Sequence, residues 1–260
     1  MKKQISSMVL ATLCWFSAAG LAAADIEAVL DWSGRAALGT TVNGKIIKVN
    51  VQAGDRVTQD QPLVELDGRY FQSRMELARA EMQHKKLLLE EAQREQARAA
   101  ELFDRTVLSE FDRQKADNEL AAAEAAYQAA RTAYRTAQLD LEYSRILAPY
   151  DSIVLRVAAQ PGEVVVNTNE TRVLVEVARA DQMLARALLS AEALASLKIG
   201  QSIQVAVQGQ WLDGQLQRIG LQPASVSGRN ALYEIEVSFP LNEQLPARAG
   251  EASALRIGAE

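Results

Sequence analysis

The sequence is poor in cysteine, histidine and aromatic residues, and has no long apolar run. It holds one cysteine, Cys14, and one histidine, His84, and only 5% of its 260 residues are aromatic. Cys14 falls within a stretch that reads as a targeting segment. Lys2 and Lys3 open it, Met8 to Trp15 form a short apolar run, and Ala22-Ala23-Ala24 offers an A-x-A cleavage site before Asp25. That run is short for a spanning helix, so residues 1–24 are read as a signal peptide. Retention of the segment as an anchor is the competing reading. Leu13 ahead of Cys14 does not fit a lipoprotein signal, and after cleavage no cysteine remains, which excludes disulfides.

The other absences narrow the function. No nucleotide-binding G-x-x-x-x-G-K-[ST], metalloprotease H-E-x-x-H or hydrolase G-x-S-x-G pattern is present. His84 falls on a helical stretch and is expected to face solvent. The chain from Asp25 carries 26 Lys and Arg against 33 Asp and Glu, a net charge of −7. An acidic surface of this kind matches nucleic acid poorly. The chain is therefore read as a non-enzyme, with no cofactor and no metal.

What is present is an internal repeat. GKIIKVNVQAGDRV (44–57) and SIVLRVAAQPGEVV (152–165) superpose without gaps, placing Val49 on Val157, Gly54 on Gly162 and Val57 on Val165. PLVEL (62–66) then answers VLVEV (173–177). A repeat outranks local propensity as a signal. In each copy apolar residues alternate, as in Ile47-Val49-Val51 and Ile153-Leu155-Val157, which marks a half-buried strand. Gly54 and Gly162 stand at the turns, where positive φ is expected. Each copy buries one face only, so the two are expected to pack together as a small β-sandwich.

About eighty residues of different character separate the copies. Ala116, Leu120, Ala123, Tyr127, Ala130, Tyr134, Ala137 and Leu141 are spaced 4,3,4,3,4,3,4, an unbroken heptad. Phe71, Met75, Ala78, Met82, Leu89, Ala92, Ala99 and Phe103 keep the same register upstream, with Lys85 and Gln96 as polar exceptions. The pattern predicts two helices of about 35 residues, roughly 50 Å long, and Pro149 ends the second. Ser109 with Asp112 resembles a helix N-cap. From about Ala178 the pattern returns to strands: Ile203-Val205-Val207 and Tyr233-Ile235-Val237-Phe239 alternate, Asp213-Gly214 predicts a hairpin turn, and Ser190 to Lys198 a short helix ended by Gly200. A small antiparallel β-barrel is expected here.

This order of parts, and two segments in particular, resemble the periplasmic adaptor (membrane fusion) proteins of tripartite efflux pumps, the HlyD/RND-type adaptor family. VNGKIIKVNVQAGDRVTQDQPLVELD (42–67) is similar to the stretch leading into that family's helical hairpin, and LDLEYSRILAPYDSIV (139–154) to the one leading out. Ser144 replaces a usual Thr, and Ser152 a usual Gly. The resemblance implies an α+β fold: a split lipoyl-like β-sandwich, an inserted antiparallel coiled-coil hairpin, and a β-barrel. The expected boundaries are 25–38 for an N-terminal strand of the barrel, 39–68 and 147–178 for the lipoyl-like halves, 69–146 for the hairpin with its tip near 103–110, and 179–260 for the barrel. LPARAGEASALRI looks like the last barrel strand, and the membrane-proximal domain of larger members is expected to be absent or truncated.

The resemblance also implies partners. Family members that dock on an outer-membrane channel carry Arg, then Leu four residues on, then Ser seven further, across the hairpin bend; Arg98, Leu102 and Ser109 repeat both intervals. The implied assembly is a ring of copies between an inner-membrane transporter, of RND or ABC type, and a TolC-like channel, exporting drugs or other toxic compounds. Lipoyl carriers share the sandwich but hold their cofactor on a lysine at the turn joining the halves. Here the hairpin occupies that junction, and Lys45 and Lys48 lie on strands. A structural or chaperone-like coiled-coil protein is the remaining alternative, and it leaves the repeat unexplained.

Overall fold

The structure, a computed structural model, describes residues 25–167, 172–227, 230–241 and 247–257. The segment read as a signal peptide lies outside them. In chain order the elements are β1 (Ile26–Trp32), β2 (Ala36–Leu38), β3 (Gly44–Val49), β4 (Arg56–Val57), β5 (Pro62–Leu66), α1 (Arg69–Asp104), α2 (Glu110–Tyr143), β6 (Arg145–Leu147), β7 (Ser152–Val157) and β8 (Val164–Val165). There follow β9 (Val175–Arg179), β10 (Gln182–Ser190), α3 (Ala191–Leu194), β11 (Ser202–Val207), β12 (Gln210–Ser227), β13 (Asn230–Pro240) and β14 (Ala252–Ile257). The chain divides into two compact units, one spanning Asp31–Leu184 with Pro240–Ala249, the other holding most of the barrel.

The repeat becomes a sandwich of two four-stranded sheets, β2-β9-β7-β4 and β6-β5-β3-β8. Each copy lends its shortest strand to the other copy's sheet. Val57 of β4 pairs with Ser152 of β7, and Val165 of β8 pairs with Gly44 of β3, the same contact seen from either copy. Backbone bonds repeat it: Gly54 N–H donates to Val154 O and Gly162 N–H to Ile46 O, both at 2.8 Å. Gly54 and Gly162 have φ of +98° and +92°, which only glycine adopts without strain. Of the fourteen residues in the sandwich core, twelve are six repeat-related pairs, among them Ile46 with Val154, Leu63 with Leu174 and Val57 with Val165. The inner face differs from the alternation read in the sequence: Ile46 and Val154 are buried, whereas Ile47 is 52% exposed and Ile153 and Leu155 are half-buried, and a bulge between Ile46 and Lys48 shifts the β3 face so that Val51 is buried again. Burial of one face per copy yields a single shared core.

Residues 25–38, expected as one barrel strand, divide. β1 closes the barrel, whereas β2 pairs with β9 at Ala37↔Glu176, the repeat-related counterpart of Arg145↔Glu65 between β6 and β5. Without β2, the outer side of β9 would be an unpaired edge in this sheet, so hydrogen bonding extends the first repeat copy upstream of Gly44. The two departures from the adaptor pattern are absorbed locally. Ser144 and Ser152 are buried, and their hydroxyls donate to Leu141 O at 2.6 Å and Tyr150 O at 2.5 Å.

Between the halves, α1 and α2 pack antiparallel along the heptad seam. Every predicted seam position is buried or half-buried, yet only Phe71, Ala99, Ala116, Ala130 and Ala137 are buried outright. Alanine at these positions lets the helices approach closely but leaves a thin core. The polar exceptions find partners: Lys85 reaches Glu81 at 3.3 Å, and the Gln96 amide donates to Asp117 across the hairpin at 2.9 Å. A polar residue in a seam penalises shifted registers.

The barrel closes in the order β1-β10-β13-β12-β11-β14. Alternating Ile203, Val205, Val207, Ile235, Val237 and Phe239 face its interior and are buried. The expected turn at Asp213-Gly214 is not a turn. Both residues lie within β12, and the β11–β12 hairpin reverses at Gln208-Gly209, each with positive φ, as a tight two-residue hairpin turn requires. Gly214 serves close packing instead: a Cβ there would sit 2.8 Å from Ser238 O and from Val237 Cγ1. The helix expected over 190–198 is confined to α3, capped by Ser190. No helix among the described residues is long and apolar enough to cross a membrane.

Candidate functional site

The hairpin tip is built from the last turns of α1, the residues 105–109, and the first turns of α2. The helix ends by a Schellman arrangement: Val107 N–H donates to Leu102 O at 3.0 Å and Thr106 N–H to Phe103 O at 2.8 Å. The left-handed position of this motif usually belongs to glycine. Here Thr106 occupies it at φ +61°, a strained conformation for a β-branched residue. Its hydroxyl donates to Arg105 O at 2.7 Å.

The returning helix begins at Ser109. The Ser109 hydroxyl accepts the Asp112 backbone N–H at 3.2 Å and donates to the Asp112 carboxylate at 2.6 Å. Glu110 and Asp112 in the first turn of α2 lie where the helix dipole favours negative charge. Arg113, hydrogen-bonded to Glu110 at 2.7 Å and to Asp117 at 2.9 Å, holds the Glu110 carboxyl below its ordinary range. The Arg113 guanidinium also lies 5.2 Å from the centre of the Phe103 ring, tying α2 to α1.

Arg98 and Leu102 line one shallow groove of about 250 Å3, together with Leu108, Asp112 and Lys115. Arg98 is exposed and paired with Glu95 of its own helix at 3.1 Å. Ser109 does not line this groove, and its exposed hydroxyl is bonded to Asp112, which does. The structure thus brings two of the three predicted tip residues onto one surface and gives the third a capping role. A second groove of about 300 Å3 runs along α2 past Phe111, Gln114 and Lys115. Phe111 and Val107 are 75% and 72% exposed, and the spacing of Arg98, Leu102 and Ser109 gave no sign of either. Exposed apolar residues flanking a tight turn were the available signal.

Elsewhere the chemistry is sparse. His84 is exposed on α1. Lys45 and Lys48 lie on β3, and Lys48 stands opposite Glu65 in register, as its repeat counterpart Arg156 stands opposite Glu176, bonded at 2.6 Å. Gly54 and Gly162 open onto free space, holding turns.

Comparison with known proteins agrees with this architecture. The chain is 26% identical over 226 residues to the macrolide export protein MacA of Escherichia coli O157:H7, covering 78% of this chain and 60% of that protein. It is 34% identical over 115 residues to the multidrug resistance protein MdtA of Pectobacterium carotovorum, covering 43% and 27%. The chain therefore spans about a quarter to three fifths of these relatives' lengths. The fold matches the membrane fusion protein Spr0693 of Streptococcus pneumoniae with a TM-score of 0.68 at 18% identity, covering 91% of this chain and 99% of that one. The family model described as "RND MFP, barrel-sandwich hybrid domain" matches residues 35–177, from just before β2 to within β9. With more than half the chain matched, and the match covering both copies of the repeat and the hairpin between them, this protein belongs to the RND membrane fusion protein family.

Proposed function

We propose that this chain works as the periplasmic adaptor of a tripartite efflux pump, joining an inner-membrane transporter to an outer-membrane channel for export of drugs or other toxic compounds. The reading rests on one observation: a rigid two-copy sandwich carries a hairpin of 36- and 34-residue helices whose end offers a charged and apolar groove. The helices extend about 50 Å at 1.5 Å per residue, a reach suited to bridging. The hairpin tip, through Arg98 and Leu102, meets the channel; Ser109 keeps the bend in shape. The β domains meet the transporter, and copies side by side form a ring. An RND transporter is the inner-membrane partner in this reading, favoured by the family whose description the sandwich and hairpin match. An ABC exporter is the competing engine.

The role is mechanical and needs neither cofactor nor metal. Residues 1–24 would direct the chain across the inner membrane. Replacing Arg98 or Leu102 by Asp is expected to lower export to the level of a strain lacking the gene, with secretion and helix content unchanged. Wild-type export in both variants would rule out docking through this groove. Purification of the chain with its inner-membrane partner decides between the two transporter classes.

A further inference from the structure

We propose that a free lip of β12, with Leu221 and Val226 exposed on it, rests on the surface of a phospholipid bilayer and holds this end of the barrel against the membrane. The contact is separate from docking of the hairpin and does not depend on which transporter the chain serves.

The lip is a product of register. β11 pairs with β12 from Val207↔Gln210 to Ser202↔Gln215, and Leu216 still bonds to Gly200 and Gln201. Beyond that point β12 runs on to Ser227 with β13 on one side and, among the described residues, no strand on the other. Its ladder with β13 is broken twice. Between Ile219↔Ile235 and Pro223↔Tyr233, β12 takes four steps where β13 takes two, and one more residue is added before Ser225↔Leu232. Bulges of this kind re-aim side chains out of the ladder. Leu221, in the middle of the first, is 95% exposed, and Val226, beyond the second, is 64% exposed. Gly220 allows the close approach, since a Cβ there would sit 3.0 Å from Glu234 O.

An open strand edge bearing apolar side chains would ordinarily add a strand from a second protein. Pro223 has no N–H to give, and the bulges flanking it break the straight edge that strand addition needs. A bilayer surface asks for no backbone pairing. Water at the headgroup boundary satisfies the open groups, while the apolar side chains enter the acyl boundary. Charge agrees. From Gly214 to Tyr233 the sequence has no carboxylate, in a chain where 33 of 260 residues are acidic. The lip therefore brings no charge of its own that lipid phosphates would repel. Arg218, at its foot, is taken up by Glu234 and Glu236.

The path of the chain points the same way. Ile203 faces Gly214 on one side and Ile257 on the other, and the Asp25 carboxylate bonds Arg256. The described chain thus begins at the barrel end from which the lip projects. Residues 1–24, with their apolar run from Met8 to Trp15, join the barrel there. Ile199, 70% exposed beside Gly200, adds apolar surface at this end.

The test places an environment-sensitive fluorophore on the full chain through Val226→Cys in a Cys14→Ser background. The labelled chain is mixed with vesicles of phosphatidylethanolamine and phosphatidylglycerol. Blue-shifted emission, quenched by lipids with brominated acyl chains, is expected at position 226 and not at a control label, Gln204→Cys, on the exposed barrel wall. Adding Leu221→Ser is expected to lower the ratio of blue-shifted to water-like emission about tenfold, with melting unchanged, while Leu221→Ile retains it. Water-like emission at 226 on vesicles overturns the proposal, whether or not residues 1–24 hold the chain there. An unchanged ratio in Leu221→Ser overturns it too. A blue shift that appears without vesicles and grows with protein concentration would assign the lip to a second copy and equally overturn the proposal.

Discussion

The sandwich and the hairpin are made by the same unit of chain on different physical terms. In the sandwich, fourteen buried residues surround one core, and six pairs of them are the same position used twice. Along 70 residues of hairpin, only five are buried, four of them alanine. The sandwich is held by apolar burial, which is dense and unforgiving. The hairpin is held by length, helix propensity, caps and intrahelical ion pairs, each contributing a fraction of a kcal/mol. A thin seam leaves the outer faces and the tip free for a partner, and a thick core fixes the base from which the hairpin projects.

Core truncation separates the two regions most sharply. Leu63 is fully buried, and Leu63→Ala is expected to destabilise the sandwich by about 3 kcal/mol. Its repeat counterpart, Leu174→Ala, should lose a similar amount. Leu89→Ala, at a half-buried seam position, should lose less than half as much. Equilibrium urea unfolding of the three variants checks this ranking, and equal losses would break the distinction between core and seam.

The caps come next. Ser109→Ala removes the acceptor for the Asp112 N–H and is expected to cost about 1 kcal/mol, read as a lower melting temperature by circular dichroism at 222 nm. Thr106→Gly should act in the opposite direction. Relief of the left-handed strain outweighs the added flexibility of glycine by about 0.5 kcal/mol, so melting should rise. A fall in melting temperature would show that the tip is not strained.

The smallest effect lies at the base of α1, where sandwich meets hairpin. The Arg69 side chain bonds both Asp67 carboxylate oxygens and draws that carboxyl down to about 2. A lowered folded pKa supports the fold above the ordinary carboxylate value of 3.8, and the support is lost as pH falls through about 2. A carboxyl NMR titration should place the Asp67 midpoint near 2, and Arg69→Gln should return it towards 3.8. Both groups are at the surface, so the change in overall stability is small.

Much of this architecture can be read from side-chain periodicity. The matched glycines 54 and 162 and the heptad from Ala116 to Leu141 specify local geometry and the buried helix face, whereas the period-two alternation marks the strands but not their inner face, since Ile46 and Val154 are buried and Ile47 is 52% exposed. They are enough to place a hairpin inside a split sandwich. The tip, expected near 103–110, was marked as well by the Ser109–Asp112 cap.

Periodicity does not say which strand lies alongside. The exchange of β4 and β8 between sheets, and the pairing of β2 with β9, follow from satisfying backbone groups across the whole sandwich, a condition set by residues far apart in the chain, such as Val57 with Ser152 and Ala37 with Glu176. Asp213-Gly214 has the composition of a turn, yet close approach of Val237 and Ser238 puts it inside a strand. Arg98, Leu102 and Ser109 have the spacing of one site, but the cap engages the serine hydroxyl with Asp112, and Val107 and Phe111 stand exposed on either side of it. Local sequence chose the elements; long-range hydrogen bonding and packing chose their neighbours and decided which side chains were left facing outward.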